Sequence, residues 1–115
     1  RTSVKDVHFR MDVNRKSAMI YIAMEHSHAD LRALCFQRFQ EFKTLLHVEL
    51  NEEWEWEQNI YVNENKVISR IYKEIAAVSV FNKDQWPELI SFFKPRMIAL
   101  DRFWENARYS FEALE

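Results

Sequence analysis

The chain of 115 residues is 48% hydrophobic and 30% charged, which is the composition of one folded domain and excludes both a disordered tail and a second domain. Its 16 basic and 18 acidic residues give a formal net charge of −2, so the composition lacks the general positive charge that gives most nucleic-acid-binding proteins their affinity. Glycine is absent. This excludes phosphate-binding loops, dinucleotide-binding turns and the nucleophile elbow of hydrolases, which all need a glycine backbone.

Cysteine content and the chain start bear on the compartment and on domain organisation. The single cysteine, Cys35, allows no internal disulfide, and the sequence has no charged-then-apolar leader, so we expect a cytoplasmic protein. No run of 18 apolar residues is present, which predicts no membrane partner. The chain begins at Arg1 without a methionine. We therefore expect a single domain over residues 1–115 that lacks an N-terminal segment of the full-length protein.

Two strands are predicted at the start of the chain. Residues 7–13 alternate between apolar and polar side chains, which is the period-two pattern of a half-buried strand. Polar residues 14–16 turn the chain. Residues 18–24 are apolar at both parities, as expected for a strand that is covered on both faces, so this segment is predicted to be central in a sheet.

A helix is predicted to follow the second strand and to end near His47. Ser27 and Asp30 resemble a capping box, which favours a helix start at that point. Apolar residues then recur at steps of three and four positions, namely Leu31, Leu34, Cys35, Phe39, Phe42, Leu45 and Leu46. This amphipathic pattern predicts that the helix packs on the sheet.

A β-hairpin is predicted around the polar turn at residues 63–66, because alternating segments precede and follow it. Asparagine tolerates the left-handed conformation better than most residues, so we expect the asparagines to form this turn in place of glycine. Pairing the two ends of the turn sets a register in which Glu55 lies opposite Glu74. Residues 76–81 are predicted to extend the second strand of this hairpin or to form a short fifth strand.

The final third of the chain is predicted to be a long helix, because apolar residues follow three- and four-residue steps from Trp86 to Leu114. Pro95 removes one backbone donor, yet the stripe keeps its phase beyond it, so we expect one continuous helix kinked at Pro95. Phe92 and Phe103 lie beside the main stripe. This wider apolar arc predicts a partner surface or a homodimer.

The predicted elements together give an α+β fold in the order β-β-α-β-β-α. We expect a mostly antiparallel sheet with two long helices packed on it, the last helix being kinked at Pro95. Both helices are expected to cross the same central strands.

Three segments of the chain, residues 7–12, 39–46 and 79–87, carry a family resemblance. They resemble a bacterial family of uncharacterised proteins, domain-of-unknown-function family 4268, over most of the chain. The shared residues are packing, turn and cap residues, so the resemblance implies kinship and carries over no functional residue. In that family the domain occurs alone in small proteins or behind other domains, some of them nuclease-like, which implies a nucleic-acid context by association.

The acidic face of the predicted hairpin provides the first candidate metal ligands. Glu53, Glu55 and Glu57 alternate along one strand, with Glu74 expected opposite. Clustered carboxylates hold Mg²⁺ or Mn²⁺ in many phosphodiesterases. We favour a solvated face neutralised by Arg70 and by lysines, because alternate residues of one strand lie about 7 Å apart and do not converge.

Three further motifs each have a functional and a structural interpretation, and the structural one is favoured for each. His26 and His28 lie next to Glu25 and could bind a transition metal, but a closed zinc site needs four ligands, so surface residues are favoured. Residues 64–66 match half of the restriction-nuclease signature, yet they occupy a hairpin tip, where a turn is favoured over a catalytic pair. Cys35 lies on the apolar helix stripe and is predicted to be a buried thiol.

The sequence thus predicts a small interaction module with no catalytic activity, cofactor or metal of its own, whose partner is a second copy or another protein. The alternative is a metal-dependent nuclease-related or nucleic-acid-associated accessory domain. Basic side chains on the last helix alternate with acidic ones, which argues against a stripe that tracks phosphates. The weak metal candidates of the alternative are Glu55, Glu57, Glu74, His26 and His28.

Overall fold

The computed structural model describes residues 2–76 and 78–114. In chain order the elements are β1 (Val7–Val13), β2 (Ser17–Met24), α1 (Ala29–Glu41), α2 (Lys43–Leu50), β3 (Glu55–Asn63), β4 (Lys66–Ala76), a 3₁₀ turn (Lys83–Gln85) and α3 (Trp86–Glu112). The α+β class is confirmed. The observed order of elements differs from the predicted order in one respect: the described residues form three α-helices where two were predicted.

The four strands form one antiparallel sheet in the spatial order β1-β2-β4-β3. The predicted central position of β2 is confirmed, since β1 and β4 flank it. Ile20, Ile22 and Met24 on one face of β2 are fully buried, as is Ala23 on the other face. β1 and β3 are the two edges of the sheet.

An aromatic core fills the space between the sheet and the helices. Phe39 of α1 packs against Phe111 of α3 with ring centroids 4.2 Å apart, and Trp104 lies 5.0 Å from Phe111. Phe92 and Phe103 are 4% and 0% exposed, so they belong to this core. The prediction that these two rings widen an outer apolar surface is wrong, because α1, α2 and the sheet together cover a broader arc of α3 than one sheet would.

The predicted first helix is interrupted at Phe42, which separates α1 from α2 and has φ −97° and ψ 10°. The Phe42 ring packs against Phe103 and Phe111, with ring centroids 6.3 and 6.0 Å away. The break in the helix thus places the Phe42 ring beside both of these rings. The predicted capping box is absent: His28 is the N-cap residue, and no side chain caps the helix.

The hairpin turn lies where it is predicted, because Asn63 pairs with Lys66. The expectation of left-handed asparagines in the turn is wrong: neither Glu64 nor Asn65 has a positive φ. Instead, the Asn63 side chain accepts a hydrogen bond of 3.0 Å from the Asn65 backbone N–H. Left-handed asparagines occur elsewhere, at the end of α2 and within β3.

The predicted register of the hairpin is wrong along most of its length. Two irregularities place extra residues on β3, one between Tyr61 and Asn63 and one between Glu57 and Ile60. Glu55 therefore lies opposite Tyr72 rather than Glu74. At Glu55 and Trp56 the shift is two residues and the faces are as predicted. Between the two irregularities the shift is one residue, so Ile60 changes face and packs with Tyr21, Ala23 and Ile68.

α3 is continuous from residue 86 to residue 112 and passes through Pro95, so the expected continuity is confirmed. The guanidinium of Arg96 donates a hydrogen bond of 2.9 Å to the carbonyl of Phe92, and two bonds of 2.7 and 2.9 Å to Glu52. Pro95 lacks the N–H that would bond to the carbonyl of Ser91, one residue before Phe92, so these contacts tie α3 to Glu52 beside the turn that the proline weakens. The kink itself stays a prediction.

β4 ends at Ala76, residue 77 lies outside the described residues, and residues 78–82 form no fifth strand.

Candidate interaction site

The acidic side chains predicted as metal ligands do not converge. Glu57 accepts a hydrogen bond of 2.8 Å from Arg70, in agreement with the expectation that Arg70 neutralises this face. Glu55 and Glu74 are exposed and lie opposite other residues. Among residues 2–76 and 78–114, no group of three or more His, Cys, Asp or Glu side chains is arranged to hold a metal ion. The acidic face is therefore a solvated surface on which Glu57 pairs with Arg70 and Glu53 lies 3.7 Å from the His47 imidazole.

His26, His28 and Cys35 line one cavity without forming a metal site. The predicted burial of Cys35 is confirmed, and burial raises the pKa of its thiol to about 12. A thiol of this kind remains protonated at neutral pH and is a poor nucleophile. Burial also lowers the pKa of His26, so its imidazole is neutral at pH 7.

Lys66, the lysine of the nuclease-like motif, has a structural role. Its Nζ lies 2.6 Å from Glu25, which also pairs with Arg10. The Glu25 side chain is only 8% exposed. Its burial alone would raise the pKa of this carboxyl, but the bonds from Arg10 and Lys66 lower that pKa to about 2. This cluster joins β1 and β4 to the end of β2. It was missed from the sequence, although Arg10 pairs with Tyr21, and Glu25, four residues after Tyr21, continues the same face.

An apolar groove runs between the edge strand β1 and the first half of α3. We call it the β1–α3 groove. It has a volume of about 310 Å³, and its lining residues are Met11, Leu89, Ile90, Phe93, Lys94 and Met97. Met11 points to the helix-covered face of the sheet but is 52% exposed, because the helices do not reach the outer side of β1 at this position. Ile90 on the opposite wall is 61% exposed.

Further apolar side chains lie near the start of α3. The backbone N–H of Val80 lies 3.4 Å from the carbonyl of Asn14, which places residues 78–82 beside the end of β1. Phe81 and Trp86 are both exposed there, and Trp86 precedes Ile90 by one helical turn on the same side of α3. Exposed apolar side chains that lie close together in this way form a candidate interaction surface.

β1 itself offers backbone groups for pairing. All seven residues of β1 pair with β2 without a bulge. Within the described part of the chain no strand pairs with the other side of β1. The Thr2 hydroxyl donates a hydrogen bond to the carbonyl of Val7, the first residue of β1. The outward N–H and C=O groups from Phe9 to Val13 form a regular row that another strand can join. Met11 lies on the apolar face of the first predicted strand and Ile90 on the apolar stripe of the last predicted helix, and periodicity does not show which strand lies at the edge.

Comparisons with known proteins give one match. The family model described as a domain of unknown function (DUF4268) matches residues 1–108. The searches of curated proteins and of solved structures give no match. No helix among the described residues is long and apolar enough to cross a bilayer. Because the family model covers nearly the whole chain, the chain belongs to the family described as domain of unknown function DUF4268, as the resemblance of its three segments indicates.

Proposed function

We propose that this domain is a non-catalytic cytoplasmic interaction module that pairs with a second copy of itself through β1. The observation that carries the proposal is the β1–α3 groove, in which a regular edge strand lies beside an almost wholly apolar concave surface. Strand addition at such an edge combines backbone hydrogen bonds, which give affinity, with side-chain burial, which gives specificity.

The charges of β1 favour a second copy as the occupant. Antiparallel pairing centred on Met11 places Met11 of each copy opposite the other and Phe9 opposite Val13 on the apolar face. On the other face the same register places Arg10 of each copy opposite Asp12 of the other. Opposite charges at directly facing positions stabilise a strand pair, so this register is self-complementary.

The surroundings of β1 also suit a symmetric pair. Because the two strands are related by a two-fold axis, the two β1–α3 grooves lie side by side, and each Met11 side chain fills the space beside the other. Ile90, on the opposite wall of each groove, approaches the partner at the same time. The net charge of −2 per chain opposes this association only weakly.

Disulfide trapping tests the register. A Met11→Cys variant places two cysteines opposite each other at the two-fold axis, where strand neighbours lie about 4.5–5.5 Å apart, within disulfide range. We expect a covalent dimer under mild oxidation on a non-reducing gel. Cys35 does not compete, because it is buried with a raised thiol pKa.

The matched control for disulfide trapping is Val13→Cys, on the same face of the same strand. In the proposed register the two Val13 positions lie about 14 Å apart, so this variant stays monomeric under the same oxidation. Equal trapping of the two variants, or no trapping of Met11→Cys, contradicts the proposed pairing.

Sedimentation tests the groove separately from the register. We expect the wild-type chain to be dimeric at about 50 µM, and Ile90→Glu to weaken the dimer at least tenfold, because a charge must then be buried in the groove. Val48→Glu is the matched control, since Val48 is an equally exposed apolar residue on α2 that lies outside the groove. A wild-type chain that is monomeric at all concentrations rejects self-association.

The metal-dependent nuclease alternative gains no support from a specific observation. Its two predicted partners, Glu55 and Glu74, do not face each other, and Lys66 is paired with Glu25. We expect that titration with Mg²⁺ or Mn²⁺ gives no binding by calorimetry and no cleavage of supercoiled or single-stranded DNA. Micromolar metal binding with cleavage that is lost in a Glu55→Gln, Glu74→Gln variant would favour the nuclease instead.

A further inference from the structure

A second concave site lies beside the start of β1 and shares no lining residue with the β1–α3 groove. Its walls are residues 2–5, which precede β1, and residues 8–10 of the strand itself. The volume is about 390 Å³, which lies within the range of small-molecule sites. We call it the N-terminal pocket.

The segment before β1 is held against the rest of the fold. The buried Thr2 hydroxyl donates a hydrogen bond to the carbonyl of Val7 and accepts one of 3.2 Å from the backbone N–H of Val4. The Thr2 carbonyl accepts a hydrogen bond of 2.7 Å from the indole N–H of Trp104. This wall of the N-terminal pocket is therefore ordered without a ligand, which reduces the entropy that binding costs.

The charged side chains that line the N-terminal pocket are all basic. Lys5 and Arg10 carry positive charges, and His8 lies two residues from Arg10 on the same face of β1. All three side chains are exposed, so a ligand can reach them. Residues 2–5 and 8–10 include no carboxylate, although the whole chain has a net charge of −2. This local excess of positive charge favours an anion.

Glu25 fixes the position of Arg10 from behind. Nε of Arg10 bonds to the Glu25 carboxylate, whose side chain is only 8% exposed and which also lies 2.6 Å from Nζ of Lys66. The three side chains together carry one net positive charge. Within the described residues the two terminal nitrogens of Arg10 have no hydrogen-bond partner. A guanidinium group held in this way presents a planar pair of donors to an oxyanion.

We infer that the N-terminal pocket binds a phosphate group, either as inorganic phosphate or as the phosphate of a small monoester. The two positive charges of Lys5 and Arg10 match the two negative charges of a phosphate dianion, whereas a carboxylate supplies only one. The His8 imidazole and the exposed Ser3 hydroxyl are further donors at the site. The inference goes beyond the proposed pairing of β1 and does not require it.

The first experiment titrates sodium phosphate into the full chain at about pH 7.5 and follows amide NMR shifts, with sodium chloride keeping the ionic strength constant. We expect saturable shifts at Ser3, Lys5 and His8 with a Kd on the order of 1 mM, because the contacts are exposed to water. Acetate is expected to bind about fivefold more weakly, since it carries one charge. Absence of saturable shifts, or acetate binding as tight as phosphate binding, overturns the proposal.

Phenyl phosphate distinguishes the two sources of the phosphate group. The volume of about 390 Å³ leaves room for the alcohol part of a monoester beside the partly buried Phe9 ring. Tighter binding of phenyl phosphate than of inorganic phosphate assigns the site to a monoester, and equal binding assigns it to free phosphate. Failure of phenyl phosphate to bind would contradict a pocket that accepts monoesters and would restrict the inference to free phosphate.

A pair of charge variants locates the site. Lys5→Gln removes one of the two positive charges and is expected to weaken phosphate binding about fivefold. Arg15→Gln is the matched control, because it removes the same charge from an exposed residue beyond the other end of β1, outside the pocket. Equal weakening in the two variants would mean a general attraction of anions and would contradict a specific site.

A second pair tests the guanidinium group. Arg10→Lys keeps the charge beside Glu25 but replaces the planar pair of donors, so we expect phosphate binding about threefold weaker. Arg70→Lys is the control, because Arg70 pairs with Glu57 through Nε in the same way and lies outside the pocket. Unchanged binding in folded Arg10→Lys, verified by circular dichroism, would contradict this role. If Arg10→Lys does not fold, the comparison of Lys5→Gln with Arg15→Gln still decides whether the site exists.

The remaining experiment separates this site from the proposed dimer, in which Arg10 faces Asp12 of the second copy. Phosphate is titrated into Ile90→Glu, which changes the β1–α3 groove and leaves the N-terminal pocket intact. We expect binding at least as tight as in the wild-type chain, because the second copy no longer competes for Arg10. Loss of phosphate binding in folded Ile90→Glu would contradict a site formed within one chain.

Discussion

The two edges of the sheet differ in how they present their backbone to other strands. β3 is interrupted twice, and its left-handed Asn59 has φ 56° within one of the irregular stretches. The exposed Glu55 and the partly exposed Glu57 lie on one side of its first half. β1 is regular over all its residues and carries the exposed, apolar Met11 on the side of the helices.

This difference shows that one edge is protected and the other is available. Bulges and charged side chains are the usual means by which proteins keep edge strands from pairing with other chains. β3 has both, whereas β1 has no bulge, and its charged residues Arg10 and Asp12 are complementary to those of an antiparallel copy.

The largest effect is expected from removal of the side chain that holds the β3 bulge. Arg32 of α1 is buried and donates hydrogen bonds of 3.0 Å to Asn59 Oδ1 and 2.7 Å to the carbonyl of His26. Arg32→Met leaves both acceptors without this donor, so we expect a loss of about 2–3 kcal/mol in the free energy of unfolding, measured with urea. Arg38→Met is the control, because Arg38 only pairs with Glu41 on the helix surface and should cost no more than about 0.5 kcal/mol. Equal costs would mean that the bulge does not depend on Arg32.

The next effect concerns the cluster that ties β1 to β2 and β4. Because the folded state lowers the pKa of Glu25 from 4.5 to about 2, its stabilisation is fully present above pH 4.5 and is lost as the pH falls through 2. We expect Glu25→Gln to cost about 1–2 kcal/mol at pH 7, a value reduced by the exposure of Arg10 and Lys66. The difference between wild type and variant should shrink toward pH 2, as urea unfolding at several pH values would show.

Glu64→Gln is the control for this pH dependence, since Glu64 is exposed at the hairpin tip. Its effect should be close to zero at every pH. A Glu25→Gln cost that is the same at pH 7 and pH 3 would show that the carboxylate charge does not stabilise β1.

Much of the fold follows from periodicity alone. The alternation in β1, the apolar run of β2, the polar turn at Asn63 and the long stripe of α3 each identify an element, because burial imposes a period of 2.0 or 3.6 residues on a sequence. Extra residues within a strand change the sequence pattern only locally, so the pattern indicates them less clearly. The side chain of Asn59 in the bulge accepts a hydrogen bond from Arg32, which is 27 residues away in sequence, so this contact could not be read from the hairpin segment itself.

The candidate site was less predictable than the fold. Met11 and Ile90 fit the pattern of buried residues, and only the spatial order of the strands shows that β1 is an edge. Phe103 was predicted to lie on an outer surface, because it is off the main stripe. It is buried, because a second helical segment, α2, also packs on α3. Sequence periodicity reports how many sides of an element are covered, and it does not report which neighbour covers them.

An exchange at matched edge positions tests the comparison directly. Met11→Lys places an ammonium group at the available edge, and we expect it to weaken self-association about tenfold, or by about 1.4 kcal/mol, in sedimentation. Val62→Lys makes the same change at an exposed apolar position within the irregular part of β3 and is expected to leave association unchanged. Weaker association in Val62→Lys alone would mean that β3, not β1, is the pairing edge.

The smallest effect is expected from the single ion pair on the acidic side of β3. Glu57 accepts from Arg70 on the neighbouring strand, and the Arg70 guanidinium also lies 4.6 Å from the ring centroid of Tyr72. Both charged side chains are partly exposed, so Glu57→Gln should lower the free energy of unfolding by only about 0.5 kcal/mol, and less at high salt. Glu55 is the preceding residue on the same face of the strand and lies opposite Tyr72, so Glu55→Gln should leave the free energy of unfolding unchanged. If urea unfolding confirms both values, the acidic row contributes little to stability, and its remaining role is to keep this edge charged and unpaired. A cost above about 2 kcal/mol for Glu57→Gln would instead make the ion pair a structural clamp of the hairpin.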